Sequence, residues 1–272
     1  MIRKLWLMMM TMSLVAILSL AACGDDDGGD DDDSTPDPAL AAEVEDVATQ
    51  MMETDPTDDA AVDFFLGHIT AQALLYFGYE SPEDCIANVD DCIGEPSEVA
   101  SITDTEIDGD EATTTATSTE GEVIALSFVR ENDLWKMSGF AFSAEVPAGA
   151  SVAEVSGIDY GFEWDPEDAG GAVVFAFTND GEEPHEMAIA SVGEDFDIEA
   201  VKEFAQSDEA GAADPPGVTG FSGFGFATPG LTSNAVLEEP LPPGNYVLLC
   251  FLPDAEGTPH VVSGMYSEFT VE

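Results

Sequence analysis

Apolar residues recur at helical spacing in two early stretches, Ala41–Met52 and Ala60–Leu75, so the sequence predicts two helices there. Beyond them the period shortens to that of strands. Ser97–Thr103, Ala112–Thr119, Glu122–Arg130 and Leu134–Phe140 are rich in Thr, Val and aromatic residues, and Asp108-Gly-Asp, Glu120-Gly and Glu131-Asn-Asp supply hairpin turns between them. The intervening Ser81–Gly94 reads as a loop carrying Cys85 and Cys92. The second half is almost wholly β: Gly157–Trp164, Gly171–Thr178, Glu186–Val192, Leu241–Cys250 and Met265–Val271 are short strands divided by Gly and Pro. One helix, Asp197–Ala205, interrupts them, and the Gly-rich Gly217–Gly230 reads as a packed loop bearing Phe221, Phe224 and Phe226. The expected architecture is an α+β domain over 39–142 followed by an all-β Greek-key sandwich over 143–272.

The first 38 residues obey neither period. Met1–Leu20 opens with Arg3 and Lys4 and continues as an apolar run ending in Leu20-Ala21-Ala22-Cys23. This is the layout of an export signal, too short and wrongly flanked for a spanning helix of the mature chain. The last four residues resemble the bacterial lipobox, which implies a signal over 1–22, acylation of Cys23, and an extracytoplasmic protein held to the cell membrane by lipid alone. Residues 23–38 follow as an Asp-rich tether, because a run of like charge, Gly and Pro cannot form a core. The Asp run lacks the spaced ligands of a calcium loop.

Charge narrows the partners. The chain carries 57 acidic against five basic residues, a formal net charge of −52. Such a field excludes nucleic acid and anionic membrane surfaces as direct partners and favours basic proteins or cations; a solvated acidic surface suited to a salty habitat is the alternative. The Gly-rich 217–226 stretch has neither the Lys nor the following helix of a phosphate cradle.

Cysteine and histidine usage locates the candidate chemistry. In an exported chain, Cys85 and Cys92, close in sequence, are expected to bridge each other. No His or third Cys lies near them to complete a zinc site. Cys250 is then odd, and is either a buried small hydrophobe or a metal ligand. Downstream of it stand His260 and Met265, and upstream His185 follows Pro184 in Asn179-Asp-Gly-Glu-Glu-Pro-His. Two imidazoles, a thiolate and a thioether are the ligand set of a blue-copper centre, a trigonal His, His, Cys group with a weak axial Met.

The order His…Cys…His…Met resembles the cupredoxins of plastocyanin and azurin type, and Asn-x-x-x-x-Pro ahead of the first ligand is similar to theirs. His260-Val-Val-Ser-Gly-Met265 is also similar to the copper loop of copper nitrite reductases, in which the Cys-to-His spacing is one residue shorter. A nitrite reductase is excluded by the histidine shortage, since the residue before Cys250 is Leu249 rather than a type 2 copper ligand. The cupredoxin resemblance implies one type 1 copper held by His185, Cys250, His260 and Met265. It also implies that Asn179 ties the two ligand loops together and tunes the thiolate. It implies one-electron transfer with a redox partner protein, basic if the acidic surface selects it, and no enzymatic activity. A copper carrier or sequestration protein would share these ligands at a more exchangeable site. A metal-free cupredoxin-like binding module would leave Cys250 merely buried.

The N-terminal half, helices and then a meander closing on Leu134-Trp-Lys-Met-Ser-Gly-Phe140, resembles the nuclear-transport-factor-two-like cone. Some members of that fold are enzymes with an acid and a base in the cone; here Asp63 and His68 are the only candidates, and a binding or spacer role is the default. Asn179 has the alternative of an ordinary turn residue, and His68 that of a surface or satisfied core histidine.

Overall fold

The computed structural model describes residues 38–208, 210 and 213–272. Cys23, the proposed signal and nearly all of the tether lie outside these residues. Among the described residues no helix is long and apolar enough to cross a membrane.

Helix α1 (Pro38–Met52) buries Val44, Ala48 and Met51, a stripe with the i, i+4, i+7 spacing of one helix face. The second predicted helix is broken in two. After α2 (Asp59–Gly67) the chain steps across His68-Ile69-Thr70, where the N–H of Met137 donates to His68 O at 2.7 Å and that of Thr70 to Met137 O at 2.9 Å. Thr70 then caps α3 (Ala71–Tyr76) through the N–H of Ala73. Tertiary pairing of Ile69 with Met137 thus overrides a continuous helical period. The 81–94 segment, expected as a loop, forms two short helices, α4 (Pro82–Ala87) and α5 (Val89–Ile93), with Ser81 as N-cap and Pro82 at the first turn. Cys85 and Cys92 join them in a disulfide, as their spacing predicted, with Cα atoms 5.4 Å apart.

The meander β1 (Val99–Asp108), β2 (Glu111–Ser118), β3 (Val123–Glu131) and β4 (Leu134–Ser143) follows in antiparallel order. Asn132 and Asp133, both at positive φ, form the last hairpin turn. Its inner face carries Ala116, Leu126, Phe128, Trp135 and Met137 against the helices.

The C-terminal half comprises β5 (Val152–Ile158), β6 (Gly161–Trp164), β7 (Val174–Asn179), β8 (His185–Val192), α6 (Ile198–Ala205), β9 (Val218–Ala227), β10 (Thr232–Val236), β11 (Gly244–Leu249), α7 (His260–Ser263) and β12 (Tyr266–Val271). One four-stranded sheet has the order β10-β7-β5-β6, with β5 and β7 parallel. The facing strands belong to an eight-stranded sheet, β1-β2-β3-β4-β9-β8-β11-β12. Phe175 and Phe177 from the small sheet meet Met187, Ile189 and Leu248 from the large one to make the sandwich core. Behind β8 and β11, Val201 of α6 and Val261 of α7 cover Ala188, Ala190, Val247 and Leu249.

The Gly-rich segment is the main correction to the sequence reading. It is a ten-residue strand, β9, paired with β8 on one side and with β4 on the other. Glycines at 220, 223 and 225 hide the strand pattern, but they are what lets the backbone approach the small sheet. A side chain on Gly223 would lie 2.9 Å from Leu237, and one on Gly225 3.1 Å from Ser233. Through β9 the meander and the sandwich share one continuous sheet. Of the three aromatics it carries, Phe226 stacks on Phe140 with ring centroids 5.1 Å apart, whereas Phe221 is exposed.

Candidate metal centre

Three elements converge on one pole of the sandwich. His185 opens β8, Cys250 directly follows β11, and His260 is the first residue of α7. The Cys250–His260 loop is fastened to its own base: His260 N donates to Leu252 O and Val261 N to Cys250 O, each at 2.8 Å. Gly264, in the left-handed region at φ 119°, ends the turn, and the N–H of Met265 then donates to His260 O at 2.9 Å. Cys250 N in turn donates to Met265 O at 3.3 Å. Within this loop Asp254–Thr258 forms a turn closed by hydrogen bonds from Glu256 N and Thr258 N to the Asp254 carboxylate.

One ligand atom from each of His185, Cys250 and His260 lies within 4.8 Å of the others, and all three residues are buried. The Nδ1 atoms of the two rings stand 3.1 Å apart, and Cys250 Sγ is 3.4 Å from His260 Nδ1. Met265 is fully buried and bonded through its backbone to both His260 and Cys250; its methyl group packs beside Gly157. The outer nitrogens turn the other way. His185 Nε2 is 3.1 Å from Asp159 Oδ1, and His260 Nε2 is 3.1 Å from Glu183 Oε2, off the axis of a straight hydrogen bond.

Electrostatics keep the donors neutral until a cation arrives. Burial pushes the Cys250 thiol well above its usual range, and the nearby Glu186 carboxylate adds to this. Burial also lowers both imidazoles, against the opposing pull of Asp159 on His185 and of Glu183 on His260. Desolvation likewise acts to raise Asp159, but hydrogen bonds from the Glu182 backbone and His185 outweigh it and hold the carboxyl below its ordinary value.

Asn179 is fully buried at the end of β7. Its Nδ2 donates to Glu183 O and Ala227 O, both at 2.8 Å, and its Oδ1 accepts from Gly181 N at 2.9 Å. It therefore pins the His185 loop to β9, and the reach to the Cys250 loop expected of it belongs to another residue. Glu186, next to His185, accepts from Phe251 N at 2.7 Å and donates its own N–H to Cys250 Sγ at 3.4 Å. Sequence reasoning missed Glu186, although an acidic residue beside a candidate ligand in an otherwise apolar strand is a readable signal. It also missed Asp159 and Tyr160 at the β5–β6 turn, which no motif marks. The remaining candidates stay apart from the cluster: His68 stacks on Phe64 with centroids 4.0 Å apart and places Nδ1 2.8 Å from Phe64 O, and Asp63 is exposed.

The fold and the donor set define a two-sheet sandwich bearing a buried His, Cys, His centre with a buried Met beside it, which fits one type 1 copper. No protein-family description and no characterised relative matches the chain at the sequence level. Solved structures similar to it include the Na-dithionite-reduced auracyanin of the photosynthetic bacterium Roseiflexus castenholzii, at 24% identity and TM-score 0.32, covering 45% of this chain and 98% of that one. Auracyanin B is similar at 21% identity and TM-score 0.30, covering 47% and 91%. Auracyanin A of Chloroflexus aurantiacus, described as a "blue" copper protein, is similar at 20% identity and TM-score 0.31, covering 44% and 98%. The ligand assignment rests on the donor geometry of this chain.

Proposed function

We propose that the chain is a lipid-anchored extracytoplasmic protein that passes single electrons through one type 1 copper, which His185, Cys250 and His260 would hold with Met265 completing the donor set. The observation that carries the reading is the convergence of two imidazole Nδ1 atoms and a thiol sulfur, all buried, with their outer nitrogens against carboxylates. Carboxylates only accept, so the Asp159 hydrogen bond favours the proton on His185 Nε2, the Glu183 charge beside His260 Nε2 favours it there, and both Nδ1 lone pairs are left to the shared centre. A dry cluster of mutually repelling donors is stabilised by a cation.

Copper, when bound, supplies a one-electron couple. The residues of the chain supply rigidity, exclusion of water and a path to the surface. His185 is fixed by β8, and Cys250, His260 and Met265 are fixed to one another by backbone hydrogen bonds, so little rearrangement accompanies a change of charge. His260 is itself buried, and the ring of Tyr160, 36% exposed, packs edge-on against it at 5.2 Å. Tyr160 thus gives the site its contact with the outside. Around it the acidic surface suits a basic redox partner. The N-terminal half, read as a nuclear-transport-factor-two-like domain, serves as a spacer or binding module, and no catalytic pair is assigned to it.

Copper titration of the reduced protein tests this. One equivalent of Cu(II) is expected to give an intense visible thiolate-to-copper band that Cys250→Ser abolishes. Stoichiometric copper without such a band defeats the reading in favour of a metal-free module. A coloured protein that surrenders its copper rapidly to a chelator points to a carrier instead.

A further inference from the structure

We infer that Asp159, by a hydrogen bond to His185 Nε2, and Glu183, by its charge beside His260 Nε2, are positioning residues that favour the Nε2–H tautomer of both ligand imidazoles and thereby set the copper affinity and reduction potential of the centre. The inference rests on the copper reading above and concerns two carboxylates that no ligand motif includes.

The arrangement is crossed. Asp159 comes from the β5–β6 turn and meets His185, while Glu183 comes from the loop of His185 and meets His260. Asp159 is held at its carboxylate, and Glu183 at its backbone. Both oxygens of Asp159 accept from Glu182 N, at 3.0 and 3.2 Å, and Glu183 has its backbone oxygen tied to buried Asn179. Tyr160 links the two, since its hydroxyl donates to Glu183 Oε2 at 3.3 Å and its backbone follows directly on Asp159. Tyr160 does this at φ 67°, in the left-handed region that a bulky residue rarely adopts. The space is closed as well: a Cβ on Gly181 would fall 2.5 Å from Asp159 Oδ1 and 2.6 Å from His185 Nε2.

A carboxylate on the far nitrogen of a ligand imidazole fixes its tautomer and ring orientation and makes it a stronger donor; losing such a partner typically costs 10–100-fold in metal affinity. A more basic imidazole favours Cu(II) over Cu(I), so both carboxylates act to lower the potential.

The test uses Asp159→Asn, Glu183→Gln and the double variant in the otherwise intact chain. In the metal-free, reduced protein, long-range proton–nitrogen NMR is expected to show Nε2 protonated and Nδ1 bare on His185 and His260. In the variants the tautomers should become mixed. Cu(II) affinity by competition with a chelator should fall about tenfold or more for each variant. The potential should rise by about 59 mV for each tenfold loss of Cu(II) affinity relative to Cu(I). If wild-type protein binds copper with the expected band but the variants keep its tautomers, affinity and potential, the inference is overturned while the copper reading stands. If no band forms, the copper reading fails, and Nδ1–H on either wild-type ring overturns the tautomer assignment independently. Should Asp159→Asn fail to fold, Glu183→Gln and Tyr160→Phe, which removes only the hydroxyl, carry the same comparison from the other imidazole.

Discussion

Glu186 and Phe251 bridge the two halves of the centre: the residue after His185 accepts a hydrogen bond at 2.7 Å from the N–H of the residue after Cys250. The carboxyl that makes this bridge is buried, and burial pushes its pKa up to about 7, partly offset by the bond from Phe251. Because the folded value lies above the unfolded one, the folded state binds more protons between them, and stability falls as pH rises from about 4.5 to about 7. The loss amounts to roughly 3 kcal/mol across that window. Denaturant melts of metal-free protein at stepped pH should show this decline, and Glu186→Gln should flatten it relative to wild type. An equal slope in both proteins would remove Glu186 as the titrating group.

Copper uptake should release protons. Burial and the Glu186 carboxylate hold the Cys250 thiol protonated at neutral pH, whereas the metal takes the thiolate. Titration in weak buffer is expected to acidify the solution by about one proton per copper, with apparent affinity rising as pH rises. Cys250→Ser should suppress the release. Binding that is independent of pH would contradict the assigned thiolate.

Gly181→Ala tests the space behind His185. The added methyl would meet Asp159 and His185 at well under contact distance, so one of them must move. Copper affinity is expected to fall by an amount similar to that of Asp159→Asn, with little change in the sheet, since Gly181 lies in the loop between β7 and β8. A variant with wild-type affinity would show that the loop yields at no cost to the ligand.

Much of this was legible in the sequence, for identifiable reasons. His185, Cys250, His260 and Met265 are distinctive residue types in a chain with only three histidines, and so they stood out without any fold. The meander was legible because β2 and β3 alternate buried and less buried positions. β9 was not, because its glycines answer to the close approach of Ser233 and Leu237 across the sandwich, a tertiary demand with no local period. The break between α2 and α3 was hidden for the same reason, being set by Met137 some seventy residues away. Asp159 and Tyr160 occupy a hairpin turn of ordinary polarity and acquire meaning only when the turn folds over His185 and His260.

The Cys85–Cys92 bridge closes a short loop in the helical layer, and neither cysteine belongs to the His185, Cys250, His260 cluster. Chain entropy gives a loop of this size about 2.5 kcal/mol of stabilisation. Cys85→Ala/Cys92→Ala is therefore expected to lower stability by that order while leaving the copper spectrum unchanged. A shifted visible band in the double variant would mean that the helical layer is coupled to the site.

The seam between β4 and β9 makes a stronger coupling elsewhere. Ala141 and Phe142 pair with Ala227 and Phe226, the N–H of Phe140 donates to Thr228 Oγ1 at 2.9 Å, and Thr228 N returns a bond to Phe140 O at 3.0 Å. Ser233 adds a hydrogen bond to Phe142 O across the same seam. Phe226 packs into the N-terminal core, and Ala141 into the sandwich core. The two halves therefore share hydrogen bonds and apolar surface along one sheet, and they should unfold in a single transition. Phe226→Ala is expected to cost about 3 kcal/mol by removing a large, partly buried ring from the seam, and the midpoints reported by Trp135 in the meander and by the copper band should fall together. A chain beginning at Ser143 would expose the β9 edge and its Phe226, and should associate or aggregate where the full chain does not. Two separated transitions in the full chain, or a well-behaved monomer from Ser143 onward with the same midpoint, would show that the halves fold independently and that the shared sheet contributes nothing to the metal-bearing sandwich.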